Sequence, residues 1–403
     1  MEQREMSKSV VVPFERGTRS PLLGRLDVPE RWHTVDRSAH ALHIVAVPDA
    51  DGAAWTAAAL VTARPGTAYW KIVDAVGDVP AAVRAVVAHA RGRGLAQVKW
   101  EGWTAAPEVA AVAGFTPLRS PLAESEGSAG PAAGYVRWLH ADPVTDGPYL
   151  DSPYPDSPYP DPPYPDSPYP DSPYPDPPYP DPPYYGQSTH FTCGAVTALV
   201  AQAHAGTLSR EALDREAELT LWRDATNFPA CEPVGLGVAV RRAWPSSAVT
   251  VHLDTDRPVL LDHYPENERE WRALLQRTSR TEAGRTGVPV DPDRLSLTAI
   301  RNAIGRREHV LLLVSLAAMQ GFDVPHWVLC HGVVPGAVVI EDPWANAATG
   351  DTWVDAHLLP VPDQSLDTMS SMSAAPAAPA DLAASADPAV DGFRGAVVIG
   401  RRS

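Results

Sequence analysis

A proline-rich repeat divides this chain in two. Over residues 147–186, eight five-residue units such as Ser-Pro-Tyr-Pro-Asp and Pro-Pro-Tyr-Pro-Asp follow one another. Proline fixes φ and lacks a backbone donor, so the repeat favours an extended polyproline II conformation over helix or sheet. We therefore expect a semi-rigid linker over 147–186. A docking strip for a partner that binds proline-rich motifs is a second interpretation, because the tyrosines are regularly spaced.

The chain is long enough for a globular domain on each side of the repeat. It has 403 residues, of which 44% are hydrophobic, and this suggests two globular bodies. It carries 33 Lys and Arg against 49 Asp and Glu, a formal net charge of -16. That balance argues against nucleic acid or an anionic membrane surface as the partner.

The sequence predicts a cytoplasmic protein with reduced thiols. Residues 1–17 mix charges and lack the apolar core of a signal peptide. The longest apolar run, 310–319, is about half of what a membrane-spanning helix requires. Three cysteines, Cys193, Cys231 and Cys330, show no metal-ligand spacing and cannot all pair within one chain. We expect neither a metal nor a cofactor.

Strands and helices alternate before the repeat, and this alternation indicates an α/β domain over 1–146. The predicted strands are 54–63, 69–76, 96–101 and 134–139, and the predicted helices are 79–91 and 107–113.

This N-terminal region resembles the C-terminal half of GNAT-type acetyltransferases over about 90 residues, with Ala113-Gly114-Phe115 as the matching motif. In that family a glycine-rich loop at a helix N-terminus holds the pyrophosphate of coenzyme A. Here the corresponding segment, 74–79, contains Asp74 and Asp78, which repel phosphate. The resemblance therefore implies a GNAT-like domain that is non-catalytic, with a role in substrate recognition or dimerisation.

Cys193 lies where the sequence predicts the start of a helix, because apolar residues follow it at helical spacing. The partial positive charge of a helix N-terminus stabilises a thiolate, the nucleophilic form of cysteine. Gln187, six residues earlier, is placed to donate its amide to an oxyanion beside the Cys193 backbone N–H. The alternative is a buried cysteine that only packs.

A β-hairpin is predicted in the second half of the chain. Two apolar runs, 326–334 and 337–342, flank Pro335-Gly336, a pair typical of turns. His326 begins the first run and Asp342 ends the second. A histidine and a carboxylate that approach each other in this way can serve as a general base and the residue that orients it.

The register of this hairpin decides whether His326 and Asp342 can meet. A two-residue loop sets Leu329 opposite Asp342 and leaves the carboxylate on the wrong face of the sheet. A three-residue loop sets Val328 opposite Asp342, on the face of His326, at a diagonal distance of about 7 Å. A functional pair therefore requires an odd-length loop or a bulge.

Other side chains are alternatives for these roles. They are His190 on the loop before the cysteine, His252 in a predicted strand, His331 on the opposite hairpin face, and Asn346 as the orienting residue. Cys330 shares the face of His326, where filling the core is the simpler role. Cys231 has no evident partner.

The second half of the chain resembles the bacteriocin-processing peptidases, the double-glycine leader peptidases of the papain-like cysteine peptidase group. The matching pattern is a glutamine six residues before Cys-Gly, a His-Trp-Val strand, and Asp-Pro sixteen residues after the histidine. The resemblance implies a papain-like domain over 187–369, with a helical part that carries the cysteine and an antiparallel sheet that carries the histidine and aspartate. It assigns Cys193, His326, Asp342 and Gln187 as catalytic.

The implied fold class is α+β, a papain-like domain joined by the linker to the N-terminal domain. The implied function is a cysteine peptidase that acts on a peptide or protein. Two alternatives stay open: an acyl or peptidyl transferase that uses the same acyl-enzyme, and an inactive peptide-binding protein. Residues 370–391, rich in Ala, Pro and Ser, are expected to be disordered, and 392–403 to add an edge strand.

Overall fold

The structure, a computed structural model, describes most of the chain on both sides of the repeat. The described residues are 9–16, 23, 26–103, 106–122, 131, 133–139, 181–225, 229–261, 264–373 and 392–402. The linker conformation predicted for 147–180 and the disorder predicted for 374–391 lie outside these ranges. None of the helices within them has the length and apolar character that crossing a membrane requires.

The N-terminal region forms one seven-stranded sheet, in the order β1-β2-β3-β4-β5-β7-β6. Its strands are β1 (Val10–Pro13), β2 (His43–Pro48), β3 (Trp55–Thr62), β4 (Tyr69–Gly77), β5 (Gln97–Glu101), β6 (Thr116–Pro117) and β7 (Gly134–Trp138). Its helices are α1 (Arg31–Thr34), α2 (Val79–Gly92) and α3 (Pro107–Val112).

This sheet is mixed, which corrects the α/β expectation. Among its described strands, β4 and β5 form the parallel pair, and α2 makes the crossover between them. The other neighbours pair antiparallel, because short connections such as that between β2 and β3 allow hairpins but not parallel crossovers.

The C-terminal region begins with three helices and continues into a second sheet. The helices of this region are α4 (Cys193–His204), α5 (Arg215–Ala225), α6 (Pro233–Ala243), α7 (Glu266–Thr286), α8 (Leu297–Gly305), α9 (Ala317–Gln320), α10 (Trp353–Ala356) and α11 (Asp363–Met369). The strands are β8 (Ser247–Leu253), β9 (Val290–Asp291), β10 (His309–Ser315), β11 (Pro325–Val334), β12 (Ala337–Glu341), β13 (Leu359–Pro362), β14 (Met372–Ser373), β15 (Gly392–Phe393) and β16 (Gly395–Arg401).

The second sheet also has seven strands, in the order β13-β12-β11-β10-β16-β8-β9. β16 lies inside this sheet, so the prediction of an edge strand at the C-terminus is wrong. The reason is that β8 pairs with the open side of β16 over seven residue pairs, from Arg401 opposite Ser247 to Gly395 opposite Leu253. The predicted disorder also begins too early, because Met372 pairs with Phe393 as part of β14 and β15.

The two regions share their core. Tyr69 of β4 packs among apolar residues of the C-terminal region, and Leu118 and Val136 pack with Trp353 and Val354. The described residues within 1–139 and 181–403 accordingly belong to one compact unit, where the sequence suggested two bodies. The domain boundaries at 146 and 187 stay predictions.

The end of the repeat is part of this core. Tyr184 is 4% exposed and Tyr185 is 3% exposed. Tyr184 packs with Leu118 and Trp353, and the Tyr185 hydroxyl donates to Glu218 at 3.0 Å. These two tyrosines therefore belong to the core, although the sequence placed them in the linker over 147–186.

Candidate active site

Cys193 is the first residue of α4, where the sequence placed it. The sequence predicted one apolar face for this helix, but every residue from Cys193 to Gln202 is buried. A helix that is apolar all round is typical of a core element. Cys193, at the start of this helix, is 8% exposed.

Gly194 allows α4 to pack closely against β11. A Cβ atom at this position would lie 3.1 Å from Trp327 Cδ1, 3.2 Å from Cys231 Cβ and 3.3 Å from Leu236 Cδ2. One turn later, the Thr197 hydroxyl donates to the Trp327 carbonyl at 3.2 Å. These contacts bring the start of α4 beside His326, the residue before Trp327.

Glu218 of α5 fixes the loop that leads into α4. It is fully buried, and it accepts from Ser188 N–H at 2.8 Å and from the Thr192 hydroxyl. Sequence reasoning missed Glu218, because a glutamate on a helix with alternating charges indicates a solvent-exposed face.

His326 and Asp342 form a buried pair. His326 Nε2 lies 2.7 Å from Asp342 Oδ1, and the two residues are 3% and 0% exposed. Asp342 directly follows β12, and the backbone N–H of Trp344 donates to the same Oδ1 at 2.9 Å.

A β-bulge brings this pair together. Val334 pairs with Ala337, so the hairpin loop is the two-residue Pro335-Gly336 form. The register then shifts between Cys330 and Gly332, so that Leu329 lies opposite Glu341. Continuing this register sets Val328 opposite Asp342. The geometric requirement from the sequence is therefore met by the bulge and not by the loop.

The charges around His326 favour its protonated form. Burial alone would lower the pKa of His326, but the charges of Asp342 and Cys193, with side-chain hydrogen bonds to both, raise that pKa to about 10. Burial alone would raise the pKa of Asp342. The charges of His326 and Arg64 outweigh burial and lower this pKa, so the carboxylate stays ionised. Because Asp342 takes Nε2, Nδ1 is the ring nitrogen left for the thiol.

Gln187 lies on the loop beside this pair. Its backbone N–H donates to the Pro343 carbonyl at 2.7 Å, which attaches the loop to the residue after Asp342. Its Nε2 donates to the Thr189 carbonyl at 2.8 Å. That bond uses one of two amide N–H groups and leaves the other for a ligand.

The alternative residues have other partners or positions. Asn346 Nδ2 donates to Gln320 Oε1 at 3.5 Å, His331 Nε2 lies 3.2 Å from Glu341 Oε1, His252 Nδ1 lies 3.5 Å from Asp291 Oδ2, and His190 is exposed. Burial raises the pKa of Cys330 to about 12, and that cysteine fills the core. The pKa of Cys231 is likewise well above its usual value because of burial.

In the part of the chain that the structure describes, no group of three or more His, Cys, Asp or Glu side chains is arranged to hold a metal ion. The chemistry available at the site is that of a thiol, an imidazole, a carboxylate and amide donors.

A comparison with known protein families matches the C-terminal region. Residues 182–380 match a family described as "Peptidase_C39 like family". None of the curated proteins matches the chain. A solved structure described as a C39-like peptidase from Bacillus anthracis matches with 10% sequence identity and a TM-score of 0.27, over 55% of this chain and 95% of that one. The family match confirms the peptidase resemblance predicted for this region.

Proposed function

We propose, from the C39-like character of residues 182–380, that this protein is a cysteine peptidase that hydrolyses peptide bonds. Cys193 is the nucleophile, His326 the general base and Asp342 the residue that orients it. The observation that carries the proposal is the buried 2.7 Å pair of His326 and Asp342, with the Cys193 side chain near enough to the same imidazole to raise its pKa.

The arrangement favours a thiolate before substrate binds. Cys193 is the first residue of a twelve-residue helix, whose N-terminus carries partial positive charge. The His326 imidazolium adds a full positive charge near the sulfur. Both charges act on the Cys193 sulfur and favour attack by the thiolate, with His326 as the imidazolium.

Catalysis follows from this ion pair. The Cys193 sulfur attacks the substrate carbonyl carbon, and the carbonyl oxygen takes up negative charge. The Cys193 backbone N–H and the free Gln187 amide N–H donate to that oxyanion. His326 then gives its proton to the leaving amine as the C–N bond breaks, which leaves a thioester. Water, deprotonated by His326, releases the acid product and restores the thiol.

The N-terminal region is, in this proposal, a GNAT-like module without acetyl transfer. The helix that would hold a phosphate is α2, and Asp78 caps it by accepting from Ala81 N–H at 3.0 Å. A phosphate at this terminus would meet a carboxylate that already occupies the backbone donor.

The test compares the whole chain with two variants that each lose one thiol. Wild type, Cys193→Ala and Cys231→Ala are incubated with a mixture of cellular peptides, and new termini are identified by mass spectrometry. We expect cleavage by wild type and Cys231→Ala and none by Cys193→Ala. Cleavage that survives Cys193→Ala contradicts the assignment. An added amine that appears on the new C-termini assigns transfer in place of hydrolysis.

Thiol labelling gives an independent readout that needs no substrate. Near pH 6 an ordinary thiol is almost wholly protonated and alkylates slowly. Brief iodoacetamide exposure at that pH should label Cys193 well before Cys231 and Cys330, and His326→Ala should slow it. Equal labelling of the three cysteines in the folded protein contradicts an activated thiol and favours the inactive, peptide-binding alternative.

A further inference from the structure

The N-terminal region contributes a side chain to the rear of the candidate site. Arg64 lies between β3 and β4 and is 1% exposed. Its Nη1 donates to Asp342 Oδ2 at 2.6 Å, on the opposite side of that carboxylate from His326. A loop residue of the N-terminal region thus contacts the orienting carboxylate of the C-terminal region.

The two oxygens of Asp342 have separate partners. Oδ1 accepts from His326 and from Trp344 N–H, and Oδ2 accepts from Arg64. A carboxylate that is held at both oxygens cannot rotate about its Cβ–Cγ bond without losing a charge-assisted hydrogen bond. Arg64 therefore restrains the rotation that would carry Oδ1 away from the imidazole.

Arg64 is itself held rigidly. Its Nε donates to Asp351 Oδ2 at 3.1 Å and its Nη2 to the Trp344 carbonyl at 3.1 Å. Gln320 Nε2 donates to the same Asp351 oxygen at 2.9 Å. A guanidinium presents its donors in one plane, so bonds in three directions fix its position as a lysine ammonium could not.

We propose that Arg64 is a positioning residue of the peptidase site, which fixes the Asp342 carboxylate for His326 so that the N-terminal region completes the catalytic arrangement. The inference rests on the proposed function. It assigns to the N-terminal region a part in the reaction itself, beyond packing against the C-terminal region.

The test measures kcat, KM and their pH dependence in full-length Arg64→Gln. We expect kcat to fall roughly 10- to 100-fold with little change in KM, because small misplacements of a catalytic group cost about that much. A displaced Asp342 supports imidazolium less, so the basic limb of the kcat profile should move to lower pH by about one unit. If Asp342 instead stays in place, removing the positive charge of Arg64 favours the His326 imidazolium and moves the basic limb to higher pH. A shift in that direction would overturn the proposal.

Lys99→Met is the matched control. Lys99 is another buried basic side chain between the two regions, and burial lowers its pKa to about 7. Its Nζ donates to the Asp355 and His357 carbonyls at 2.9 and 2.5 Å. We expect this variant to lower the melting temperature while kcat and its pH profile stay as in wild type. Equal loss of kcat in both variants would mean that Arg64 serves only the packing of the two regions.

A double-mutant cycle completes the test. If Arg64 acts through Asp342, Arg64→Gln should lower kcat less than about twofold in an Asp342→Asn background. Multiplicative losses would overturn the proposal. If Arg64→Gln does not fold, Arg64→Lys replaces it in the same double-mutant cycle, because lysine keeps the buried charge.

The proposal and the proposed function can fail separately. Absence of Cys193-dependent cleavage by wild type contradicts the peptidase. The pH dependence of Cys193 alkylation still reports whether Arg64→Gln alters the His326–Asp342 pair, and an unchanged alkylation profile contradicts the role of Arg64.

Discussion

Asp342 has neighbours that all donate hydrogen bonds to it. His326 Nε2 and Trp344 N–H face Oδ1, and Arg64 faces Oδ2. An asparagine has one acceptor oxygen and one NH2 donor. At least one of these three donating neighbours would therefore face the NH2 group, which cannot accept its hydrogen bond. If the NH2 group faces His326, it selects the tautomer with the proton on Nδ1, which cannot accept the thiol proton.

Asp342→Asn should therefore lower kcat by on the order of 10³-fold or more. The pKa of His326 is about 10 in the folded protein, so its imidazolium persists up to that pH and is lost above it. Removing the Asp342 charge leaves burial to lower this pKa, and the basic limb of the kcat profile should move to lower pH. Steady-state kinetics between about pH 5 and 10 measures both effects.

Asn346→Ala is the control for this prediction, because Asn346 is the alternative orienting residue and bonds to Gln320 instead of His326. Its kcat should stay within about threefold of wild type, since hydrogen bonds outside the reacting groups affect stability more than rate. A larger loss in Asn346→Ala than in Asp342→Asn would reverse the assignment.

The site residues that the sequence predicted have local signals, whereas Arg64, which it missed, has none. Cys193 precedes a helical apolar pattern, and His326 and Asp342 flank a recognisable hairpin. Arg64 lies on a loop more than 250 positions from Asp342 in sequence. Its burial is determined by packing between the two sheets, which single-sequence patterns do not encode.

Helix α4 depends on one close approach, and Gly194→Ala tests it. An added Cβ would lie 3.1 to 3.3 Å from Trp327, Cys231 and Leu236, so a closely packed core must shift. We expect the free energy of unfolding to fall by about 1–3 kcal/mol, and Cys193 labelling at pH 6 to slow as the helix start moves away from His326. Denaturant unfolding and alkylation rates measure the two effects.

Gly284→Ala is the matched control for that substitution. Gly284 lies inside α7, and a Cβ there would meet nothing within 4 Å. Alanine should stabilise this helix by up to about 1 kcal/mol. If Gly194→Ala is equally stabilising and labels at the wild-type rate, the close approach does not position the thiol.

Elements were easier to predict than their pairing. The predicted strand 69–76 is observed as Tyr69–Gly77 and the predicted helix 79–91 as Val79–Gly92, because both have strong apolar periodicity. The sequence left open whether a bulge or an odd-length loop sets the hairpin register, and it wrongly placed β16 at an edge. Both depend on which strands meet, which the composition of a single strand does not determine.

At the scale of the whole molecule, buried polar and charged side chains of the N-terminal region contact residues of the C-terminal region. Lys71 and the Tyr69 hydroxyl contact the Asp355 carboxylate, the latter at 2.8 Å, and Lys99 donates to backbone carbonyls beside it. A buried charge that loses its partner is strongly destabilising. The C-terminal region therefore depends on cations that the N-terminal region supplies, and it is not one of two independent bodies as the sequence suggested.

A fragment of residues 181–403 should consequently fail to give a folded protein with a reactive Cys193. It would leave Asp342, Asp351 and Asp355 without their buried cations and expose the apolar residues around Trp353.

The matched comparison is the full chain with a specific protease site placed between residues 147 and 180. After cleavage the two parts should elute together and keep their activity, because the interface between the sheets, and not the connecting segment, holds them. A soluble fragment that labels Cys193 rapidly at pH 6, or cleaved parts that separate while activity persists, would show that the C-terminal region is independent after all.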